Sequence, residues 1–254
     1  MARGDDISVK YEEHKRPLAV FEGDSRLDGR GYEMFRSVFM KTGTLSKAAG
    51  SAYAEFGNSK VMAGVYGPRE SDRRETFSEE GRLRCDIKFA TFSRHTRKSN
   101  FSQTDEEKDM SSQMLAALEA AVLAHTFPKS NVDVYCLVLE SGGSDLAVCV
   151  SAASLALADG GIEMRDLVSA CRVSRVEGHL LLDPTENEAY REDGGLLLAY
   201  MPQANLVGQV VMTGEWDNED AKEVLQLGMG GCAQIDAYMR QCLREALSGD
   251  SMDE

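Results

Sequence analysis

A glycine-rich turn in the middle of the chain has the residue types that bind anions. Residues 141–144 read Ser-Gly-Gly-Ser, follow an apolar run at 134–139 and precede a long run of small residues that ends at Gly160 and Gly161. We predict a strand, a tight turn and a helix in that order. Unpaired N–H groups at the start of a helix point outward at the positive end of its dipole, so this turn is typical of a phosphate cradle.

A second candidate for chemistry is a basic segment at residues 81–100. It contains six lysines and arginines but a single aspartate. Leu83, Cys85, Ile87 and Phe89 alternate with the charged residues, which predicts a strand with one buried and one charged face. The charged face is either merely solvated or contacts phosphate groups, and the residues alone leave both interpretations open.

Strands and helices in mixed order must position these two segments. Alternation predicts a hairpin around the turn at 57–59 that ends at Gly67-Pro68, and helical spacing predicts a helix from Asp105 to His125. Further elements are expected as strands at 132–139, 172–176 and 179–183, a hairpin at 196–200 and 206–212, and a final helix after Asp217. Crossovers mixed with hairpins favour an α+β fold in which helices pack on mixed β-sheets.

Length and composition allow one sizeable domain. The chain has 254 residues, of which 43% are apolar, and its net charge of −14 argues against a free-standing nucleic-acid binder. Its six cysteines show no metal-binding spacing, which favours a reduced intracellular compartment. We expect a flexible arm at 1–25, one domain at 26–247 and an acidic tail at 248–254, with no metal, no cofactor and no membrane span.

Four stretches together resemble the RNase PH family. Within that family, residues 140–144, 181–185 and 201–202 are most similar to ring subunits of the eukaryotic exosome. The resemblance covers roughly residues 26–245 and implies a single RNase PH-like domain. Its four stretches are 26–30 (RLDGR), 50–69, 142–168 and 182–183.

The resemblance also implies what an active site would contain. Active members degrade RNA from the 3′ end with inorganic phosphate as the attacking group, which requires cations for phosphate and a carboxylate near the scissile linkage. In active members an arginine follows the position of Ser144, whereas this sequence has Asp145. An arginine pair at the start of the preceding helix aligns with Glu106 and Glu107. A carboxylate among helix N–H donors would fill the anion site and repel phosphate.

The position of the catalytic aspartate in the family differs as well. A gapless count from Leu182 to Met201 places Gly195 there, although a small gap could bring in Asp193 or Glu192. We therefore expect no catalytic residue. The degenerate phosphate and catalytic positions are Glu106, Glu107, Ser144, Asp145 and Gly195.

These expectations predict a non-catalytic, structural and RNA-contacting subunit of the exosome ring, supporting 3′-to-5′ RNA processing and degradation. The family implies a hetero-hexameric ring of RNase PH-like subunits, RNA-binding cap subunits and RNA as partners, in the nucleus, nucleolus and cytoplasm. Two alternatives stay open: an active phosphate-dependent exoribonuclease, and a scaffold that never touches RNA. The candidate RNA-binding residues are Arg69, Arg73, Arg74, Arg94, Arg97 and Lys98.

Overall fold

The computed structural model describes residues 21–22, 25–70, 80–94 and 102–250. Eleven strands and four α-helices lie within these ranges. The strands are β1 (Phe21–Glu22), β2 (Ser25–Arg26), β3 (Val38–Thr42), β4 (Gly50–Phe56), β5 (Ser59–Glu70), β6 (Arg82–Phe89), β7 (Ser130–Glu140), β8 (Ser169–Val176), β9 (His179–Leu182), β10 (Gly194–Met201) and β11 (Leu206–Gly214). The helices are α1 (Asp105–Glu119), α2 (Asp145–Asp159), α3 (Glu186–Ala189) and α4 (Asn218–Asp250), with a 3₁₀ turn at Ala124–Thr126.

Two large sheets organise the described part of the chain. A five-stranded sheet has the order β3-β4-β5-β7-β6 and is antiparallel except for the parallel pair β6 and β7. A four-stranded antiparallel sheet has the order β11-β10-β8-β9. Strands β1 and β2 form a separate short ribbon. The predicted α+β fold with mixed sheets is confirmed.

Helix α2 lies at the centre of the core because its side chains are small and almost all apolar. Its residues from Leu146 to Leu157 are buried, and it packs against β4, β5 and β8. The helix approaches β4 so closely that a Cβ on Gly50 would lie 2.2 Å from the backbone nitrogen of Gly160. Only a residue without a side chain allows this contact, which fixes α2 on the five-stranded sheet.

The other helices cover the edges of this core. Helix α1 begins with a capping box between Thr104 and Glu107, and it packs on β6. Helix α4 packs against β8 and β10, where Val224 and Cys232 are fully buried. Helices α1 and α4 therefore pack on different sheets, α1 on the five-stranded sheet and α4 mainly on the four-stranded sheet.

Two element boundaries differ from the sequence prediction. Strand β5 continues through Gly67-Pro68 to Glu70 and resumes pairing with β7 at Arg69 after an irregularity in the register. Helix α1 ends at Glu119 rather than at His125, which lies in the 3₁₀ turn. Helix α4, predicted to follow Asp217, runs from Asn218 to Asp250.

Candidate functional site

The turn at residues 141–144 joins β7 to α2 and has the tight geometry predicted for a cradle. Gly143 has φ +100° and Ser144 has φ +55°, both in the left-handed region. A Cβ on Gly143 would lie 2.5 Å from the carbonyl oxygen of Pro184, so glycine is required there. The Ser144 hydroxyl donates to that same oxygen at 3.1 Å.

A buried arginine holds the carbonyl groups of this turn. The Arg36 guanidinium donates to the carbonyl oxygens of Gly142 at 2.9 Å and Gly143 at 3.0 Å. It also pairs with the Asp183 carboxylate at 2.7 Å, and Asp183 is 1% exposed. The Ser59 hydroxyl donates to Gly143 at 2.6 Å. Charge-assisted hydrogen bonds from Arg36 therefore hold the backbone of this turn in place.

A second buried ion pair supports the segment that follows Asp183. Arg26 is 1% exposed, and its Nε and Nη2 donate to the two carboxylate oxygens of Glu188 at 2.8 and 2.6 Å. Burial raises the pKa of Glu188, but hydrogen bonds from Arg26 and from the Thr185 backbone amide outweigh it and leave the pKa below its ordinary value. Arg26, the first residue of the stretch at 26–30 that carries part of the family resemblance, is therefore an internal anchor.

Asp145 is the first residue of α2 and places a carboxylate at the start of the helix. Its Oδ2 accepts a hydrogen bond from the Ser141 hydroxyl at 2.5 Å. Its Oδ1 is buried without a hydrogen-bond partner among the described residues. Burial raises the pKa of Asp145, opposed by the Ser141 and Ser59 hydroxyls and by the guanidinium groups of Arg94 and Arg36. A carboxyl group of the chain itself therefore lies at the start of α2, next to the turn at 141–144.

Three positions far apart in the sequence line one cleft. Glu106, Asp145 and Gly195 all border a cleft of about 580 Å³ whose wall includes the apolar side chains of Leu197 and Val211. Ser144 lines it too. Their convergence defines the site that the sequence predicted from separate stretches.

Glu107, in contrast, does not line this cleft. It is 1% exposed, and its carboxylate accepts hydrogen bonds from the backbone amides of Phe89 at 2.9 Å and Thr104 at 2.7 Å. It therefore caps α1 and ties that helix to β6. Of the two adjacent glutamates, the structure assigns a capping role to Glu107 and a place in the cleft to Glu106.

Two basic side chains line the cleft within the described ranges, and each is bound to a carboxylate. Arg94 pairs with Glu106 through two hydrogen bonds of 2.8 and 2.6 Å. Its guanidinium also lies 4.0 Å from the centre of the Phe89 ring. Arg172 donates to Glu192 at 2.6 Å. Both cations therefore already have anionic partners, and the bidentate Arg94–Glu106 pair uses the geometry that a phosphate would use.

Glu192 lies beside the glycine that aligns with the catalytic aspartate. A Cβ on Gly195 would be 3.1 Å from Glu192 Oε2, and that oxygen accepts a hydrogen bond from the Ser174 hydroxyl at 2.5 Å. Asp193 is exposed and is not among the residues that line the cleft. The nearest alternative carboxylate is therefore Glu192, which the sequence offered only as a second choice.

The six candidate RNA-binding residues fall into two groups. Arg69 is exposed and pairs with Asp133, and Arg94 pairs with Glu106. The remaining four lie outside the described residues: Arg73, Arg74, Arg97 and Lys98.

Among the residues that the structure describes, no group of three His, Cys, Asp or Glu side chains could hold a metal ion. None of the described helices is long and apolar enough to cross a membrane.

The cleft lies at the start of a buried helix, between the five-stranded and the four-stranded sheet. The pattern of the 3′ exoribonuclease family, domain 1, matches residues 34–163, and that of domain 2 matches residues 166–231. The chain therefore belongs to the RNase PH family of 3′ exoribonucleases, as its motifs predicted.

Two named relatives support the same family. The Exosome complex component RRP41-like of Arabidopsis thaliana is 44% identical over 88% of this chain and 86% of its own length. The Exosome complex component MTR3 of Mus musculus is 35% identical over 96% of both chains. The MTR3 match agrees with the resemblance of residues 140–144, 181–185 and 201–202 to ring subunits of the eukaryotic exosome.

Solved structures show the same fold. A structure described as the Archaeoglobus fulgidus exosome with RNA bound to the active site superposes with a TM-score of 0.75. The superposition covers 85% of this chain and 92% of that chain at 20% identity.

Proposed function

We propose that this chain is a non-catalytic, structural and RNA-contacting subunit of the exosome ring that supports 3′-to-5′ RNA processing and degradation. Relatives named as exosome components match nearly the whole chain, which supports the assignment to that assembly. Its partners are other RNase PH-like subunits in a six-membered ring, RNA-binding cap subunits and RNA. Its locations are the nucleus, nucleolus and cytoplasm.

The carboxylate of Asp145 carries the proposal that the subunit is not catalytic. Phosphate is anionic and must be held beside an anionic RNA backbone, so a phosphorolytic site needs cations that are free to bind it. Here the start of α2 holds Asp145, and Arg94 and Arg172 are bound by Glu106 and Glu192. Removing one preorganised stabiliser of a transition state typically costs about two to three decades in rate.

The test compares phosphate-dependent release of nucleoside diphosphates by the purified chain and by its assembled ring. We expect no release by the chain alone, and no change in the ring when Asp145 is replaced by Ala. An Asp193→Ala ring is the matched control, because Asp193 is exposed and does not line the cleft. Phosphate-dependent release by the isolated chain would overturn the proposal.

The position of Glu192 supports an active phosphorolytic exoribonuclease as the second candidate. Its carboxylate lies where a side chain at 195 would project, so it could take the place of the missing aspartate. In that case Glu192→Gln would abolish diphosphate release, whereas Asp193→Asn would leave it unchanged. Loss of activity in Asp193→Ala instead would assign the acid to Asp193.

RNA contact is tested separately from catalysis. Reversing the charges of Arg94, Arg97 and Lys98 together should weaken RNA crosslinking to the assembled ring, with a strong dependence on salt concentration because counterions are released. Lys222, an exposed residue on α4, provides a matched charge reversal away from the cleft. Unchanged crosslinking would favour the remaining alternative, a scaffold that never touches RNA.

A further inference from the structure

A groove of about 600 Å³ runs along helix α4, and it shares no described lining residue with the cleft at the start of α2. Its lining residues on α4 extend from Asp220 to Gln234, a length of about 21 Å at 1.5 Å per residue. Gly230 leaves this part of the helix surface open, because a Cβ there would meet no atom within 4 Å. We call this surface the α4 groove.

The α4 groove combines an apolar floor with an acidic rim. Three leucines form the floor: Leu180, Leu182 and Leu227. Among the described residues that line the rim, three are acids and one is an arginine: Glu33, Asp220, Glu223 and Arg175. Arg175 already pairs with Asp220 at 3.2 Å and lies 4.6 Å from the centre of the Trp216 ring. The groove therefore favours an occupant that carries both apolar and positively charged side chains.

Two of the rim acids have no counter-charge within the described ranges. Glu33 and Glu223 are exposed, and neither forms an ion pair with another described residue. Exposed ion pairs are individually weak, so these acids would select and orient an occupant, whereas the leucine floor would supply most of its affinity.

Phe21, the first residue that the structure describes, lies against one wall of the α4 groove. Its ring centre is 5.6 Å from that of His179 and 5.8 Å from that of Tyr32, and both of these residues line the groove. The rings of His179 and Tyr32 are themselves stacked at 4.9 Å. The residues that directly precede Phe21 in the sequence are therefore attached beside the groove.

The sequence before Phe21 has the composition that the groove requires. Residues 14–20, which lie outside the described ranges, read His-Lys-Arg-Pro-Leu-Ala-Val, a basic half followed by an apolar half. Arg16 precedes a proline, a position that favours extended backbone. At about 3.3 Å per extended residue the segment would span about 23 Å, which is close to the length of the groove.

We propose that residues 14–20 bind in the α4 groove of their own chain. The apolar half contacts the leucine floor, and Lys15 and Arg16 reach the rim acids. Attachment at Phe21 holds the segment at an effective concentration on the order of 1 mM, so a basic segment of a partner protein must bind more tightly to displace it. A second copy is disfavoured as the source of the segment, because chains of net charge −14 repel one another.

Photo-crosslinking in the full chain tests where residues 14–20 bind. A benzophenone side chain at position 18 should crosslink within one chain to the tryptic peptide 223–240, which contains Gly230. Position 9, which also carries an apolar residue, is the matched control and should give far less of this product. Crosslinks from position 18 that fall on other peptides would overturn the proposal. So would crosslinks that join two copies in a mixture of isotopically labelled and unlabelled chains.

Limited proteolysis measures how fully the groove is occupied. Trypsin can cleave after Lys15 only when the segment has left the groove, so the rate follows the population of undocked chain. Glu33→Gln with Glu223→Gln should speed this cleavage by about threefold or more, whereas cleavage after Lys10 should keep its rate. Glu219→Gln is the matched control variant, because Glu219 is an exposed acid on α4 that does not line the groove.

Filling the groove provides a second, steric test. Gly230→Leu places a side chain in open space at a helical position where leucine is favoured over glycine, so we expect the fold to be kept. This variant should speed cleavage after Lys15 by about tenfold or more and abolish the crosslink from position 18. Circular dichroism checks the helix content of each variant. Cleavage of Gly230→Leu at the wild-type rate would refute the proposal, whether or not the chain assembles into a ring.

Discussion

Two buried carboxylates close to the turn at 141–144 have opposite electrostatic surroundings. Glu188 lies against the Arg26 guanidinium, and its pKa is lowered even though burial opposes this shift. Asp145 lies on the cleft side of the turn, where burial raises its pKa against the opposing influence of the Ser141 and Ser59 hydroxyls and of the Arg94 and Arg36 guanidinium groups. One carboxylate stabilises the fold as an ion, and the other carries an electrostatic cost.

This difference distinguishes the residues that hold the turn in place, which we call the support, from the residues that face the cleft, which we call the lining. The support consists of Arg26, Glu188, Arg36 and Asp183, which are buried and fully paired. The lining contains Asp145, whose Oδ1 has no hydrogen-bond partner among the described residues. The turn is therefore held by buried, paired charges, whereas the carboxylate at the start of α2 keeps one oxygen without such a partner.

Breaking the support should have the largest effect. Glu188→Gln leaves Arg26 buried without a counter-charge, which should cost about 3–5 kcal/mol of unfolding free energy. The matched control is Glu106→Gln, which breaks an exposed pair with Arg94 and should cost no more than about 1 kcal/mol. Denaturant unfolding of both variants measures the difference. Equal losses would show that the two carboxylates are not distinguished by burial.

Substituting a glycine in the turn at 141–144 should lower the unfolding free energy by nearly as much. Gly143→Ala would force a Cβ to within 2.5 Å of the Pro184 carbonyl oxygen at φ +100°, and we expect a loss of at least about 3 kcal/mol. Gly161→Ala also sits at positive φ but meets no atom within 4 Å, so its cost should be only about 1 kcal/mol. Thermal unfolding of the pair separates steric contact from backbone strain.

Removing the charge of Asp145 in the cleft should stabilise the protein, whereas removing the charge of Glu188 should destabilise it. Because its pKa is raised in the folded state, ionised Asp145 disfavours folding above its ordinary value of 3.8, and this penalty disappears below that value. Asp145→Asn should therefore raise the unfolding free energy at neutral pH, by an amount that vanishes in acid. Unfolding measured from pH 3 to pH 7 checks this. A variant less stable than wild type at neutral pH would contradict it.

The smallest change in unfolding free energy is expected for the exposed ion pair at the surface of the cleft. Arg94→Ala removes an exposed pair with Glu106 and should change the unfolding free energy by less than about 1 kcal/mol. High salt should reduce the difference further, because exposed charges are screened. Lys108→Ala, which removes a similarly exposed pair with Asp105, is the control for a helix-surface ion pair.

The sequence predicted most of the fold but only part of the site. Periodicity located α1, α2 and the hairpins, because local spacing decides which face of an element is apolar. It did not reveal Arg26, whose partner Glu188 is 162 positions away, since a charged residue in a polar stretch looks like a surface residue. Nor did it distinguish Glu106 from Glu107, because one residue of helical rotation separates the cleft from the cap.

By itself the sequence determined the family, the order of elements and the presence of Asp145 at the start of α2. Tertiary structure alone decided which charges are paired, that residues 106, 145 and 195 share a cleft, and that Phe21 lies beside the α4 groove. The physical reason is that propensity and periodicity depend on neighbours along the chain. Desolvation and ion pairing depend on groups that only the fold brings together.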